Sequence, residues 1–259
     1  MRLKGKVALV TGAADDRSIG WGIAEALAQE GANVVVNDVV KLDALASRAQ
    51  EIEEMGRRAL AIPADVTQVE AVDAMVAQTV NDLGRLDIVV SNAGIIRWEH
   101  FLEITPHNLQ AVVDVNIKGN VNVCRAAAHR MIEQGDGGRI ILTSSVQSDM
   151  QFPVTPVYGA TKHAMHIFVG SLALELARYG ITVNHIGPGW VRSPLNDPAP
   201  DQQTAAQIEV QKRAVPLKRA GLISEMGRAA VYFASSDGDY TTGAFLRVDG
   251  GLGISKYSY

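Results

Sequence analysis

The sequence predicts an α/β fold: one doubly wound (Rossmann) domain over residues 1–259, with a seven-stranded, mostly parallel sheet and helices on both faces. Two observations carry that expectation. The first is a series of short apolar runs that read as strands: Val7–Val10, Val34–Val36, Ala59–Ile62, Leu86–Val90, Ile140–Leu142, Ile181–Val183 and Phe245–Val248. Their hydrophobicity is continuous rather than alternating, as expected for parallel strands covered on both faces. The second is what lies between them. Helix-length segments carry apolar residues three and four apart, as in Ile23, Ala24, Leu27 and Ala28, or Val69, Val72, Val76 and Val80. Strand and helix in regular alternation build a doubly wound sheet. The loosest stretch, Ser193–Thr204, is rich in Pro, Asp and Gln and reads as an excursion from the sheet. Residues 190–216 around it are expected to form a substrate lid.

Composition narrows the function. A formal net charge of -4 with no basic run argues against a nucleic-acid surface. No apolar run is long enough to cross a bilayer and no signal peptide is recognisable, so a cytoplasmic location is expected. The single cysteine, Cys124, sits among Val121, Val123, Ala126 and Ala127 and reads as an inert core thiol.

The first strand runs into Thr11-Gly12-Ala-Ala-Asp-Asp-Arg17-Ser18-Ile19-Gly20-Trp-Gly22 and then a helix. Glycines there let the backbone approach a pyrophosphate, and the helix N-terminus offers free N–H groups. Asp38 ends the second strand, where a carboxylate accepts bonds from the ribose hydroxyls of NAD and repels the 2′-phosphate of NADP. Arg17 pulls the other way, because a basic residue in the loop could pair with that phosphate. NAD is the expected cofactor and NADP the alternative.

Tyr158 and Lys162 lie four apart, on one face of a helix. The ammonium is expected to favour the phenolate, lower the tyrosine pKa and leave a group able to trade protons near neutral pH. The histidines His163, His166 and His185 show no zinc-site spacing with a carboxylate, so no metal is expected. His163 should point away from the Lys162 face, toward a neighbouring helix or subunit.

With these marks in order, the chain resembles the classical short-chain dehydrogenase/reductase family over essentially its full length. The marks are the loop Thr11 to Gly20, Asp65-Val66, Asn92-Ala93-Gly94, Asn116, Ser145, Tyr158-x-x-x-Lys162 and Pro188-Gly189. The resemblance implies Tyr158 as general acid/base and Lys162 as the lysine that depresses its pKa and binds the nicotinamide ribose. It implies Ser145 as the hydroxyl on the substrate oxygen and Asn116 as the holder of a water linked to the lysine. Asp65 and Val66 would contact the adenine, Asn92 and Gly94 would pass beside its ribose, and Pro188, Val191 and Ser193 would lie near the nicotinamide. Ser144 is the weaker serine candidate, turned away by strand alternation.

Two departures stand out. The loop carries two residues more than the family's usual three between its first glycines, and Ser18 replaces the middle glycine. That loop is similar to the enoyl-thioester reductase branch, in which the tyrosine precedes the lysine by seven residues. Here that position is Thr155, which predicts a carbonyl/alcohol enzyme instead.

The substrate pocket is expected from Gln147–Thr155, Ile95–Glu99 and Trp190–Asn196. Gln147, Ser148, Asp149, Gln151, Arg97, Glu99, Arg192 and Asn196 would make it polar, which favours a sugar or polyol. Trp190 and Phe152 could instead form an apolar wall for a cyclic ketone. The competing readings are an NADPH-dependent ketone reductase and a non-catalytic NAD-binding sensor. The resemblance also implies a homotetramer, with the ending Ile254–Tyr259 reaching a neighbour.

Overall fold

The computed structural model describes residues 1–39, 41–195 and 205–255. Its strands are β1 (Val7–Thr11), β2 (Asn33–Asp38), β3 (Ala59–Pro63), β4 (Ile88–Ser91), β5 (Gly138–Thr143), β6 (Ile181–Pro188) and β7 (Phe245–Val248). They form one seven-stranded sheet in the order β3-β2-β1-β4-β5-β6-β7. Every neighbouring pair is parallel. The helices are α1 (Ile19–Gln29), α2 (Leu42–Glu54), α3 (Val69–Leu83), α4 (Pro106–Val113), α5 (Asn120–Gln134), α6 (Pro156–Leu176), α7 (Ala205–Ala214) and α8 (Ile223–Ala234).

The continuous apolar runs do what both-face burial requires. In β1, Ala8 and Val10 pack into one core beside Ile23 and Leu27 of α1 and Phe233 of α8. Their neighbours Val7 and Leu9 enter the opposite core with Val72 of α3, Val123 of α5 and Val169 of α6. Each side chain of this size contributes about 1.5–3 kcal/mol when fully buried. The edge differs: β7 leaves Leu246 and Arg247 exposed. β6 runs on to Pro188, well past the apolar triplet that announced it.

The order in which strands are added reverses between β1 and β4: β2 and β3 build out on one side of β1, and β4 to β7 on the other. Beyond the C-terminal ends of these strands lies the crevice where open α/β sheets bind ligands. The helix that opens at the glycine loop, α1, packs closely on α8. A Cβ on Gly22 would sit 2.7 Å from Ile223 Cβ, and one on Gly227 would sit 2.4 Å from the Gly22 carbonyl oxygen. Gly22, read with the phosphate loop in the sequence, therefore serves helix packing.

Candidate active site

The crevice opens into a cavity of about 720 Å³. At one end the loop after β1 turns through Gly12, whose backbone is left-handed (φ 68°). A Cβ on Gly20 would lie 2.2 Å from the Gly12 carbonyl oxygen, so no other residue fits at the start of α1. Ser18 is the N-cap of α1, its hydroxyl accepting from Trp21 N at 3.0 Å. That explains a serine in the glycine's place: it satisfies a free donor of the first turn while still lining the cavity. Thr11 and Asn92 tie the loop to the end of β4. Asn92 Nδ2 donates to the carbonyls of Thr11 and Gly12 at 2.9 and 3.1 Å, and Thr11 Oγ1 accepts from Asn92 N and Ala93 N.

Asp38, Asp65, Val66, Asn92, Gly94, Ile19 and Pro188, expected from the sequence to contact the cofactor, line this cavity. Asp38 accepts from Ala14 N at 3.2 Å and Val39 N at 2.8 Å. Asp65 accepts from Thr67 N at 2.9 Å. Three expected cofactor contacts are absent from the wall. Gly20 lies buried behind Gly12. Arg17 turns toward Asp15. Val191 is 1 % exposed, packs into the α1–α8 core and bridges to Gly221. Its neighbour Ser193 does reach the cavity. The residue is 3 % exposed and its hydroxyl has no hydrogen-bond partner among the described residues. An orphaned buried donor here fits the carboxamide of a nicotinamide, and the tight Gly12–Gly20 turn fits a pyrophosphate.

At the other end Ser145, Tyr158 and Lys162 come together from the end of β5 and from α6. Ser145 lies near enough to the Tyr158 hydroxyl to favour its ionised form. Lys162 Nζ donates to Thr143 O at 2.8 Å and lies 5.5 Å from the Tyr158 ring centre. Ser144 turns to the Lys162 carbonyl at 3.3 Å. The electrostatics correct the sequence expectation. Burial pushes Tyr158 up to about 12, with Ser145 pulling the other way. Burial also brings Lys162 down to about 8. The lysine is aimed at a carbonyl rather than at the phenol, so desolvation outweighs it.

Asn116 lies behind the cavity wall, 0 % exposed, in a π-helical turn (Asp114–Gly119) that joins α4 to α5. π-turns of this kind recur at functional sites. Its side chain accepts from Ile95 N and donates to Ile95 O, both at 2.9 Å, and donates to Thr161 Oγ1 at 3.1 Å. Its carbonyl accepts from Asn120 Nδ2 at 2.7 Å. Cys124 is fully buried on α5, its thiol pushed up to about 12 by desolvation.

The substrate end is less polar than predicted. Gln147 lines it, with Oε1 accepting from Thr155 Oγ1 at 2.7 Å. Ser148 instead donates to the Ser145 carbonyl at 2.7 Å, and Asp149 pairs with Arg247. Arg97 bonds the Ile96 carbonyl, and Glu99 takes the Asn108 amide. Gln151 and Arg192 are exposed and off the wall. Asn196 lies outside the described residues, as does the end of the chain from residue 256. Trp98, Phe152 and Trp190 supply aromatic walls, with Ile95, Val146, Leu195, Val210 and Leu252. Val210 and Gln211 place α7 beside the substrate end.

The histidines lie closer together than their spacing in sequence suggests. His166 and His185 pack edge to face at 4.6 Å, and His163 lies 5.8 Å from His166. Asp149 stands 3.5 Å from His166. Residues scattered in sequence meet because β6, β7 and α6 are neighbours. His163 Nδ1 donates to the Ser148 carbonyl at 2.6 Å, which pins the segment after Ser145 rather than reaching another helix.

Comparison with known proteins agrees with this geometry. A family model described as enoyl-(acyl carrier protein) reductase matches residues 12–253. The chain is 39% identical to versicolorin reductase 1 of Aspergillus parasiticus, covering 96% of this chain and 97% of that one. It is 34% identical to an L-rhamnose 1-dehydrogenase (NAD(P)(+)) of a Sphingomonas strain, covering 98% of both. Among solved structures, a short-chain type dehydrogenase/reductase from Mycobacterium marinum superimposes with a TM-score of 0.90 at 36% identity over 96% of each chain. A gluconate 5-dehydrogenase from Burkholderia cenocepacia in complex with NADP and tartrate gives 0.91 at 35% identity, covering 98% of this chain and 97% of that one.

Proposed function

The chain belongs to the short-chain dehydrogenase/reductase family, whose members are NAD(P)-dependent oxidoreductases of alcohols and carbonyls, and we propose that this one interconverts a sugar or polyol with its carbonyl form using NAD. The observation that carries the chemistry is the meeting of Ser145, Tyr158 and Lys162 at one cavity wall, with Lys162 one turn along the helix from Tyr158. Bound NAD would supply the hydride acceptor, and its cationic ring would add positive charge beside the phenol. Held by Gly12, Ser18, Ile19, Asp38 and Ser193, it would leave the chain's own groups to manage the substrate oxygen.

Tyr158 gives or takes the proton at that oxygen. Ser145 donates a hydrogen bond to it and stabilises developing negative charge. At neutral pH, Tyr158 as found is a phenol, ready to protonate an alkoxide. Acting as the base requires its pKa to fall, which nearby positive charge promotes. Lys162, at about 8, is mostly ammonium at neutral pH and provides part of that charge. Asn116 holds Ile95 and Thr161 in place around the lysine.

The sugar reading draws on the rhamnose and gluconate dehydrogenase relatives and on Gln147. With Oε1 taken by Thr155, its amide N–H groups are left for a substrate oxygen. A second reading, a flat ring ketone, is favoured by the walls of Trp98, Phe152 and Trp190 and by the versicolorin reductase relative. Asp38 at the ribose end supports NAD over NADP, and α7 beside the substrate end supports a lid. The tetramer expectation is supported by Ile167 and Leu174, which stand 73% and 86% exposed on α6. No helix among the described residues is long and apolar enough to cross a membrane. The test is reduced-cofactor absorbance with NAD against panels of sugars, polyols and cyclic alcohols, and the reverse with ketones. Turnover of a sugar supports the first reading, and turnover of ring ketones alone supports the second. Dinucleotide binding with no turnover on any panel supports the sensor.

A further inference from the structure

The long glycine loop carries two acidic residues, Asp15 and Asp16, that the chemistry above leaves unexplained. Asp16 is exposed. Asp15 turns inward and lines the cavity at its ribose end, with Asp38 and Lys41. Its carboxylate accepts from Arg17 N at 2.9 Å and lies 3.8 Å from Arg17 Nε. Its other oxygen takes Lys41 Nζ. Its carbonyl accepts from Ser18 N at 2.9 Å, so one residue shapes the turn and gathers both cations. Lys41 reaches it from a left-handed backbone position (φ 56°) just before α2, a conformation unusual for lysine. Burial alone would raise the Asp15 carboxyl, yet Lys41 and Arg17 hold it below the ordinary carboxylate range.

A 2′-phosphate carries about -1.5 to -2 charges and needs cations as partners. Both cations at this end, Lys41 and Arg17, already face a carboxylate. We propose that Asp15 is a built-in counter-ion that occupies the two basic groups a 2′-phosphate would recruit, so that it enforces NAD over NADP jointly with Asp38. This rests on reading the crevice as a dinucleotide site and deepens it. Repulsion by Asp38 is one half of the discrimination, and sequestration of Lys41 and Arg17 is the other.

Isothermal titration of the full-length protein with NAD and with NADP tests this without turnover. Asp15→Asn keeps an oxygen for Arg17 N but removes the charge. It should tighten NADP about tenfold and change NAD by less than about twofold, the scale of one charge-assisted contact. Asp16→Asn removes the same formal charge from an exposed side chain one residue away and should move NADP by less than about twofold. Adding Lys41→Ala to Asp15→Asn should erase the gain. If Asp15→Asn does not fold, Lys41→Ala alone should weaken NADP about fivefold with NAD unchanged, since it leaves Asp15 uncompensated. An unchanged NADP affinity in Asp15→Asn, an equal gain in Asp16→Asn, or a gain that survives Lys41→Ala overturns the proposal. Failure of the unaltered protein to bind either dinucleotide overturns the crevice reading instead.

Discussion

Two lysines line the same cavity under opposite conditions. Lys162 is 3 % exposed and bonded to a main-chain carbonyl, so desolvation governs its charge. The Lys41 side chain is 55% exposed and paired with a carboxylate, so a neighbouring charge governs what it can bind. The reacting end is thus tuned by removing water, and the ribose end by arranging charges in water. The first should resist salt and respond to pH. The second should respond to salt and to single charge substitutions.

The sharpest way to break this comparison is at the buried phenol. Tyr158→Phe should lower kcat/KM by about 10²–10⁴-fold, the usual contribution of a general acid/base. NAD affinity should stay within about twofold, and a variant that keeps turnover removes Tyr158 from the chemistry. Ser145→Ala should cost about 10²–10³-fold in kcat, as loss of one donor to a developing oxyanion does. Equal losses in kcat and in NAD affinity would assign Ser145 a structural role.

The pH response of Lys162 offers a stability test. Its folded pKa, about 8, lies below its ordinary 10.5. Between these values the unfolded chain keeps a proton that the folded chain has released, so stability rises with pH across that window. Relative to Lys162→Met, denaturant midpoints should therefore climb from pH 8 to pH 10. Tyr158 opposes this only above its ordinary value of 10, because its folded pKa is the higher one. Parallel profiles for the two proteins would mean that Lys162 is better solvated than its burial implies. The smallest effect is expected from salt: raising it from about 0.05 to 0.5 M should reduce NAD-over-NADP discrimination severalfold and leave the pH profile of turnover in place.

The sequence was most informative where local pattern and burial coincide. Continuous apolar runs announced a parallel sheet because period-two alternation places Val7 and Leu9 in one core and Ala8 and Val10 in the other. Tyr158 and Lys162 were legible because four residues make one helix turn. Side-chain direction in loops was not. Ser148, Asp149, Arg97 and Glu99 are polar and close to the cavity in sequence, but each is turned to a partner elsewhere. The sign of the Tyr158 shift was missed for a related reason, since proximity of a lysine is visible in sequence and depth of burial is not. Asp15 had a signal, the loop's extra length, but its partner Lys41 becomes a neighbour only through the turn after β2.

The close seat of Gly22 against Ile223 and Gly227 has a consequence for biosynthesis. The helix that would cradle pyrophosphate is made near the start of translation, yet the surface it rests on emerges from the ribosome some two hundred residues later. Nascent chains stalled before residue 223 should therefore be unable to retain dinucleotide, and cofactor capture becomes a late event that reports a finished polypeptide.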